Sequence, residues 1–310
     1  VTADAIAAPE VPDAEPTDGP PVRKTTMGRT GLKGFWRDAC EMEPQEDARR
    51  GPVGRFNRRV VTFVLLAVLH ANLRLINRLC PDHPAIWPTD TWDWVPTVEA
   101  AFPAIRREMD AYIAESRAPL PHVAELAGLD LDTELGGRVV LNDKGAWRAV
   151  ILYMKGQWIP ETCERFPETT RIARSIPHVN SVGFTALDGH SHIEEHVGPN
   201  KGALRYQLPI IVPGQPGDCR IRILEEMVPW VEGQSLIFDL AVNHEAWNDS
   251  DELRVLLNFE VQTPLPFPLS LWNRGVQRLY RYHPSHRGQA QRMRDLHRRR
   301  SAVGAAPAPG

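Results

Sequence analysis

The chain has 310 residues, 42% apolar and 24% charged, enough for one large domain or two small ones with a real core. A formal charge of −3 gives no argument for nucleic acid or a membrane as the principal partner. The four cysteines (Cys40, Cys80, Cys163, Cys219) are scattered with no Cys-x-x-Cys pair, which argues against a disulfide framework or a cysteine zinc site and fits a reducing cytoplasm.

Residues 1–30 have the Pro/Ala/Asp composition of a disordered leader, and their acidic start does not read as a secretory signal. Residues 31–139 read as a helical region that packs on the core. Within them, VVTFVLLAVL (60–69) opens a helix over 55–79 in which Leu65, Leu69, Leu73 and Ile76 keep a helical period. The apolar run is about ten residues, against roughly 20 for a membrane span. A helix buried against the body is expected; the sharper alternative is a membrane-surface helix flanked by Arg58 and Arg59. A second helix lies in 95–117, with Ile105, Met109 and Ile113 four apart, before APLP stops it.

Near Gly145 the texture changes. Short apolar runs at 147–154, 179–187, 203–212, 219–224, 235–240 and 253–261 alternate with turn residues, the spacing of an all-β sandwich or barrel over 140–265. Period-2 alternation assigns faces. Leu204, Tyr206 and Leu208 oppose Arg205 and Gln207, while Val255, Leu257 and Phe259 oppose Arg254, Leu256 and Asn258. Beyond 265 a basic C-terminal extension, 266–310, carries nine arginines between Arg274 and Arg300 against the single acid Asp295. Its plain reading is a solvated extension, the alternative a contact with anionic lipid, nucleic acid or an acidic carrier protein.

HIEEH (192–196) fits His-x-x-Glu-His, an inverted zinc-protease signature that requires a helix. Its flanks are strand-like, which favours a different metal centre. On a strand His190, His192 and His196 share a face by even spacing, yet only His196 is assigned as a ligand; the other two read as cleft or surface residues. His244 follows 48 positions later and Arg254 ten after that. A non-haem Fe(II) oxygenase needs few protein ligands. An arginine on the last barrel strand can grip the distal carboxylate of 2-oxoglutarate as a bidentate fork.

HxGPxxxxLRxxL from His196, EGxxLIFD from Glu232 and HExWND from His244, together with Arg254, make the sequence recognisable. Over roughly 140–265 it resembles the aspartyl/asparaginyl β-hydroxylase family of Fe(II)/2-oxoglutarate oxygenases. The resemblance implies a double-stranded β-helix (jelly-roll, cupin-like) core, so the expected fold is mainly β with an α-helical N-terminal region. It implies His196 and His244 as iron ligands, with Gly198 where a carboxylate ordinarily stands. Arg254 and Thr185 would bind the C5 carboxylate of 2-oxoglutarate, and Arg205 and Gln207 would approach its other end. Asp239, Glu245 and Asn248 are placed to orient His244, and Trp147, Trp158 and Lys155 are possible cleft residues.

The activity implied is hydroxylation of an unactivated C–H by O2, with succinate and CO2 as co-products. Asp188 stands where the family commonly has proline. Ala203 stands where some relatives carry a basic residue for an acidic substrate, so the resemblance predicts the reaction better than the substrate. The expected partner is a small-molecule, amino-acid or carrier-bound substrate, without specific nucleic acid and with peripheral membrane contact as an option. The alternatives are a hydroxylase of a lipid acyl chain and a catalytically silent cupin-like binding module.

Overall fold

The computed structural model describes residues 51–115, 120–127, 146–198 and 200–304. The expected leader at 1–30 and the expected boundary at 139/140 lie outside them. Chain order begins with helix α1 (Pro52–Leu79), the two-residue strand β1 (Ile86–Trp87) and helices α2 (Val95–Ala100), α3 (Phe102–Glu115) and α4 (Val123–Ala127). The helix read within 95–117 is α3, with the short α2 ahead of it. Next come β2 (Trp147–Met154), β3 (Gln157–Trp158), α5 (Pro160–Cys163) and α6 (Pro167–Ser175). Eight strands follow: β4 (Val179–Leu187), β5 (Ser191–His196), β6 (Ala203–Ile211), β7 (Cys219–Ile223), β8 (Glu226–Pro229), β9 (Leu236–Asp239), β10 (His244–Asn248) and β11 (Arg254–Gln262). Helices α7 (Leu269–Tyr280) and α8 (Pro284–Gly304) close the described chain.

The strands form two antiparallel sheets, one ordered β1-β9-β6-β11-β4-β2-β3 and the other β5-β10-β7-β8. Leu187, Phe238 and Leu256 of the first sheet and Ile193, Ile221 and Ala246 of the second share one apolar cluster, so the sheets face each other as a double-stranded β-helix. The other face of the larger sheet is equally apolar. There Leu204, Tyr206, Leu208, Val255, Leu257 and Phe259 pack with Ile105 and Met109 of α3 and Ile172 of α6. These are the faces that alternation assigns, and they leave Arg205, Gln207, Arg254 and Asn258 directed between the sheets.

Two features differ from the sequence reading. The C-terminal segment is folded against the body: Ala290 and Met293 of α8 lie in the main core at 0% and 1% exposure. Arginines dominate its composition, yet Leu296 also packs on the core, Arg292 Nε donates to Leu126 O at 2.7 Å, Arg294 Nη2 donates to Trp158 O at 3.2 Å, and His297 Nε2 lies 2.8 Å from Thr162 Oγ1. In α1, Phe56–Leu79 is 24 residues long and its most apolar 18-residue stretch has mean hydropathy 1.7, long and apolar enough to cross a membrane, although 44% of that stretch is buried inside the protein. Leu69 packs on Val276 and Tyr280, and Asn72 donates to Asn273 Oδ1 at 3.1 Å, so α1 runs antiparallel to α7.

Candidate active site

Strands β5 and β10 bring two histidines together. His196 pairs with His244 across the sheet, and their ring centroids lie 4.2 Å apart at 54°. The next matched pair is Ile193 with Ala246, so three steps on β5 meet two on β10. The extra residue is a β-bulge at Glu194–Glu195, and it reverses the side-chain sense of the strand end. Ile193 and His196 both turn inward. His192, expected on the same face as His196, points out, stacks on Trp247 at 4.7 Å and meets Glu245 Oε2 at 2.9 Å. His190 lies at the surface beside Asp251. The zinc-protease reading ends here, because its helix is a strand.

Each histidine is fixed by a carbonyl two residues before it. Nδ1 of His196 lies 2.9 Å from Glu194 O, and Nδ1 of His244 lies 2.9 Å from Val242 O. A carbonyl only accepts, so each Nδ1 carries the proton and each Nε2 keeps a lone pair for a ligand. Burial, then the neighbouring His196, pushes His244 down to about 3. Burial also lowers His196, with the Arg205 charge adding to it against the Glu194 carbonyl. Two neutral imidazoles side by side fit a transition-metal ion such as iron.

The orienting residues expected around His244 do other work. Asp239 pairs with Lys201 and accepts from Ala241 N at 2.8 Å. Glu245 pairs with Arg222, and Asn248 donates to the carbonyls of Leu187, Asp188 and Glu252. None of them holds the ring, because the backbone already does.

Among the described residues no group of three or more His, Cys, Asp and Glu side chains can hold a metal. Gly198 shows why a carboxylate is missing beside the pair. Its N–H donates to Leu240 O at 2.7 Å, and a Cβ placed there would meet that same oxygen at 2.7 Å. No side chain fits.

Arg254 is 2% exposed, and burial lowers its pKa to about 10. Its Nε has no hydrogen-bond partner among the described residues, and the guanidinium sits 4.5 Å from the Trp230 ring centre. Burial pushes the nearby Cys219 thiol up to about 11, so it stays neutral and is no counter-ion. A buried cation without a carboxylate is costly unless an anion arrives to meet it.

Around Arg254 runs a polar chain. Trp230 Nε1 donates to Gln207 Oε1 at 3.0 Å, Gln207 Nε2 to Asn258 Oδ1 at 3.1 Å, and Asn258 Nδ2 to Thr185 Oγ1 at 2.8 Å. The structure thus brings Thr185, Gln207 and Arg254 onto one lining and His196 with His244 onto another. Arg205 faces the same interior opposite Glu260, close enough that its charge depresses both imidazoles. Trp230 and Asn258 carried no assigned role in the sequence reading. Asn258 shares the alternating face of Arg254, a signal that pointed to it; Trp230 lies outside any strand and had none.

Of the possible cleft residues, Trp147 has its ring 6.4 Å from that of His196. Trp158 instead packs at a tilt on Tyr153 and lies under Arg174, and Lys155 is buried against Glu260.

Comparison with known proteins places this geometry in context. The sequence profile of the aspartyl/asparaginyl beta-hydroxylase family matches residues 99–264. An ornithine lipid ester-linked acyl 2-hydroxylase of Rhizobium tropici is 29% identical over 202 residues, covering 65% of this chain and 69% of that protein. The human aspartyl/asparaginyl beta-hydroxylase is 31% identical over 134 residues, 40% of this chain but 17% of that much longer protein. Among solved structures, a cupin domain of an XRE family transcriptional regulator from Enterobacter cloacae aligns with 38% of this chain and 99% of its own, at 11% identity and TM-score 0.27.

Proposed function

The chain belongs to the aspartyl/asparaginyl beta-hydroxylase family, and from that premise we propose that it is an Fe(II)- and 2-oxoglutarate-dependent dioxygenase hydroxylating an unactivated C–H bond. The observation that carries this reading is Arg254, a buried arginine whose Nε has no hydrogen-bond partner among the described residues. His196 and His244 would hold iron through Nε2. When bound, iron supplies with O2 the oxidising chemistry that 2-oxoglutarate drives, leaving succinate and CO2 as co-products.

The chain's own residues bind and orient. Arg254 offers a planar fork to the C5 carboxylate, in a dry setting where a charge pair counts for more than in water. Thr185 Oγ1 already accepts from Asn258, which leaves its own O–H to donate to the same carboxylate. Gln207 has one amide N–H left after binding Asn258 and, with Arg205, faces the other end of the cosubstrate. Trp147 borders the histidine pair and would shape the approach of the substrate.

Substrates with an aliphatic C–H on an amino acid, a peptide or another small molecule suit this reading. A second reading, hydroxylation of a lipid acyl chain, is favoured by the extent of the similarity to the Rhizobium protein. The test is anaerobic titration of the Fe(II)-loaded chain with 2-oxoglutarate, followed by succinate assays over amino acids, peptides and acyl lipids. A visible charge-transfer band that Arg254→Met abolishes is expected; a metal-loaded chain that does not bind 2-oxoglutarate overturns the proposal.

A further inference from the structure

Exposed apolar side chains are normally scattered over a protein surface. Here ten of the thirteen large exposed ones among the described residues lie on α1, on α7 or within two residues of α7. Val53, Phe56 and Val64 project from α1 at 73%, 57% and 48% exposure, and Leu271, Trp272 and Leu279 from α7 at 59%, 48% and 41%. Because the two helices are packed antiparallel through Leu69 and Asn72, the C-terminal half of α1 lies beside α7, and Val53 and Phe56 continue the outward stripe of α1 past that contact.

The charge on this face is one-sided. Helices α1 and α7 together contain seven arginines and not one Asp or Glu, in a chain whose net charge is −3. Arg74, Arg78, Arg274 and Arg278 are exposed beside the apolar residues. Apolar and aromatic side chains flanked by arginines, with no acid among them, match a headgroup layer of anionic lipid. A second copy of the chain meeting this face would set arginines against arginines. Crossing the bilayer is also disfavoured, because Leu65, Leu69, Leu73 and Ile76 of α1 are buried in the protein and Asn72 is bonded to α7.

We propose that the α1–α7 face docks the protein on an anionic membrane surface. The inner side of α7 ties this face to the candidate site. Asn273 Nδ2 donates to Gly202 O at 2.8 Å, and Gln277 exchanges hydrogen bonds with Asn200 at 2.8 and 2.9 Å. Those residues form the turn that follows His196 and Gly198. Docking through α7 therefore sets the histidine end of the barrel towards the lipid. The inference is independent of the chemistry at the histidines.

The test is flotation of the full chain with vesicles of phosphatidylcholine, with and without phosphatidylglycerol. Binding to the phosphatidylglycerol vesicles is expected, weakened about tenfold or more in both L271E/W272E and R274E/R278E. M227E, at an exposed apolar residue elsewhere, should bind as the unaltered chain does. Circular dichroism establishes that the variants are folded. Failure to float with phosphatidylglycerol vesicles, or flotation that neither double variant weakens, overturns the proposal. So does self-association, in place of vesicle binding, that the same variants abolish.

Discussion

The guanidinium of Arg254 lies 4.5 Å from the ring centre of Trp230, an aromatic face where a buried arginine ordinarily has an acid. The ring offsets part of the desolvation cost without satisfying the hydrogen-bonding fork, so the cation remains available to a carboxylate. The same indole donates to Gln207 and so braces the lining that Gln207 shares with Arg254.

Trp230→Leu removes both contacts. Steady-state turnover of 2-oxoglutarate should show KM raised about tenfold with kcat nearly unchanged, since ground-state binding is what is lost. Trp230→Phe keeps the ring and loses only the indole donor, and should fall between. A fall in kcat with unchanged KM would remove Trp230 from the pocket.

Metal should be held by His196 and His244 alone among the histidines of this strand pair. Thermal melting with added Fe(II) or Mn(II) should show a gain in Tm that chelation reverses and that His196→Ala or His244→Ala abolishes. His192→Ala should keep the gain, because that side chain points away from the pair. Loss of the gain in His192→Ala would contradict the bulge.

Gly198→Asp should not install a third ligand. Its Cβ would press on Leu240 O at 2.7 Å, and the strain should cost about 2–4 kcal/mol of stability. Chemical denaturation reads this as a lower midpoint. A variant of undiminished stability that binds metal more tightly would show that the turn after β9 can yield.

Glu260 and Lys155 form a buried ion pair under Tyr280. Burial alone would raise Glu260, but Lys155, Arg205 and Asn180 outweigh it and hold the carboxyl below its usual 4.5. The native state therefore binds fewer protons than the unfolded chain in this range. The stability it confers is complete above about pH 4.5 and is lost as pH falls through the depressed value. Glu260→Gln should cost about 3–5 kcal/mol at neutral pH by stranding Lys155. It should also make stability vary less between pH 5 and pH 3, measured by urea denaturation across that range; an equal acid slope in both chains would rule Glu260 out.

Much of the barrel was legible in the sequence because alternation is a direct consequence of strand geometry. All six apolar runs are strands, and the faces assigned to Arg205, Gln207 and Arg254 are those observed. The pairing of His196 with His244 was legible only through motif resemblance, as 48 residues separate them. What escaped depends on contacts that no local pattern encodes. The bulge at Glu194–Glu195 overrides the even spacing of His192 and His196. The carbonyls of Glu194 and Val242 leave no trace in side-chain identity. Trp230 reaches Arg254 from a loop, and α8 docks through Ala290, Met293 and Leu296, which lie scattered among arginines.

The bulge makes the site sensitive to chain length as well as to residue type. Glu195 has a half-exposed side chain and can change its identity with little effect on the fold. Deleting one codon at 194 or 195 would straighten β5 and turn an imidazole out to solvent with both His196 and His244 still encoded. Sequence drift along this strand can be extensive provided its reading is never shortened by one.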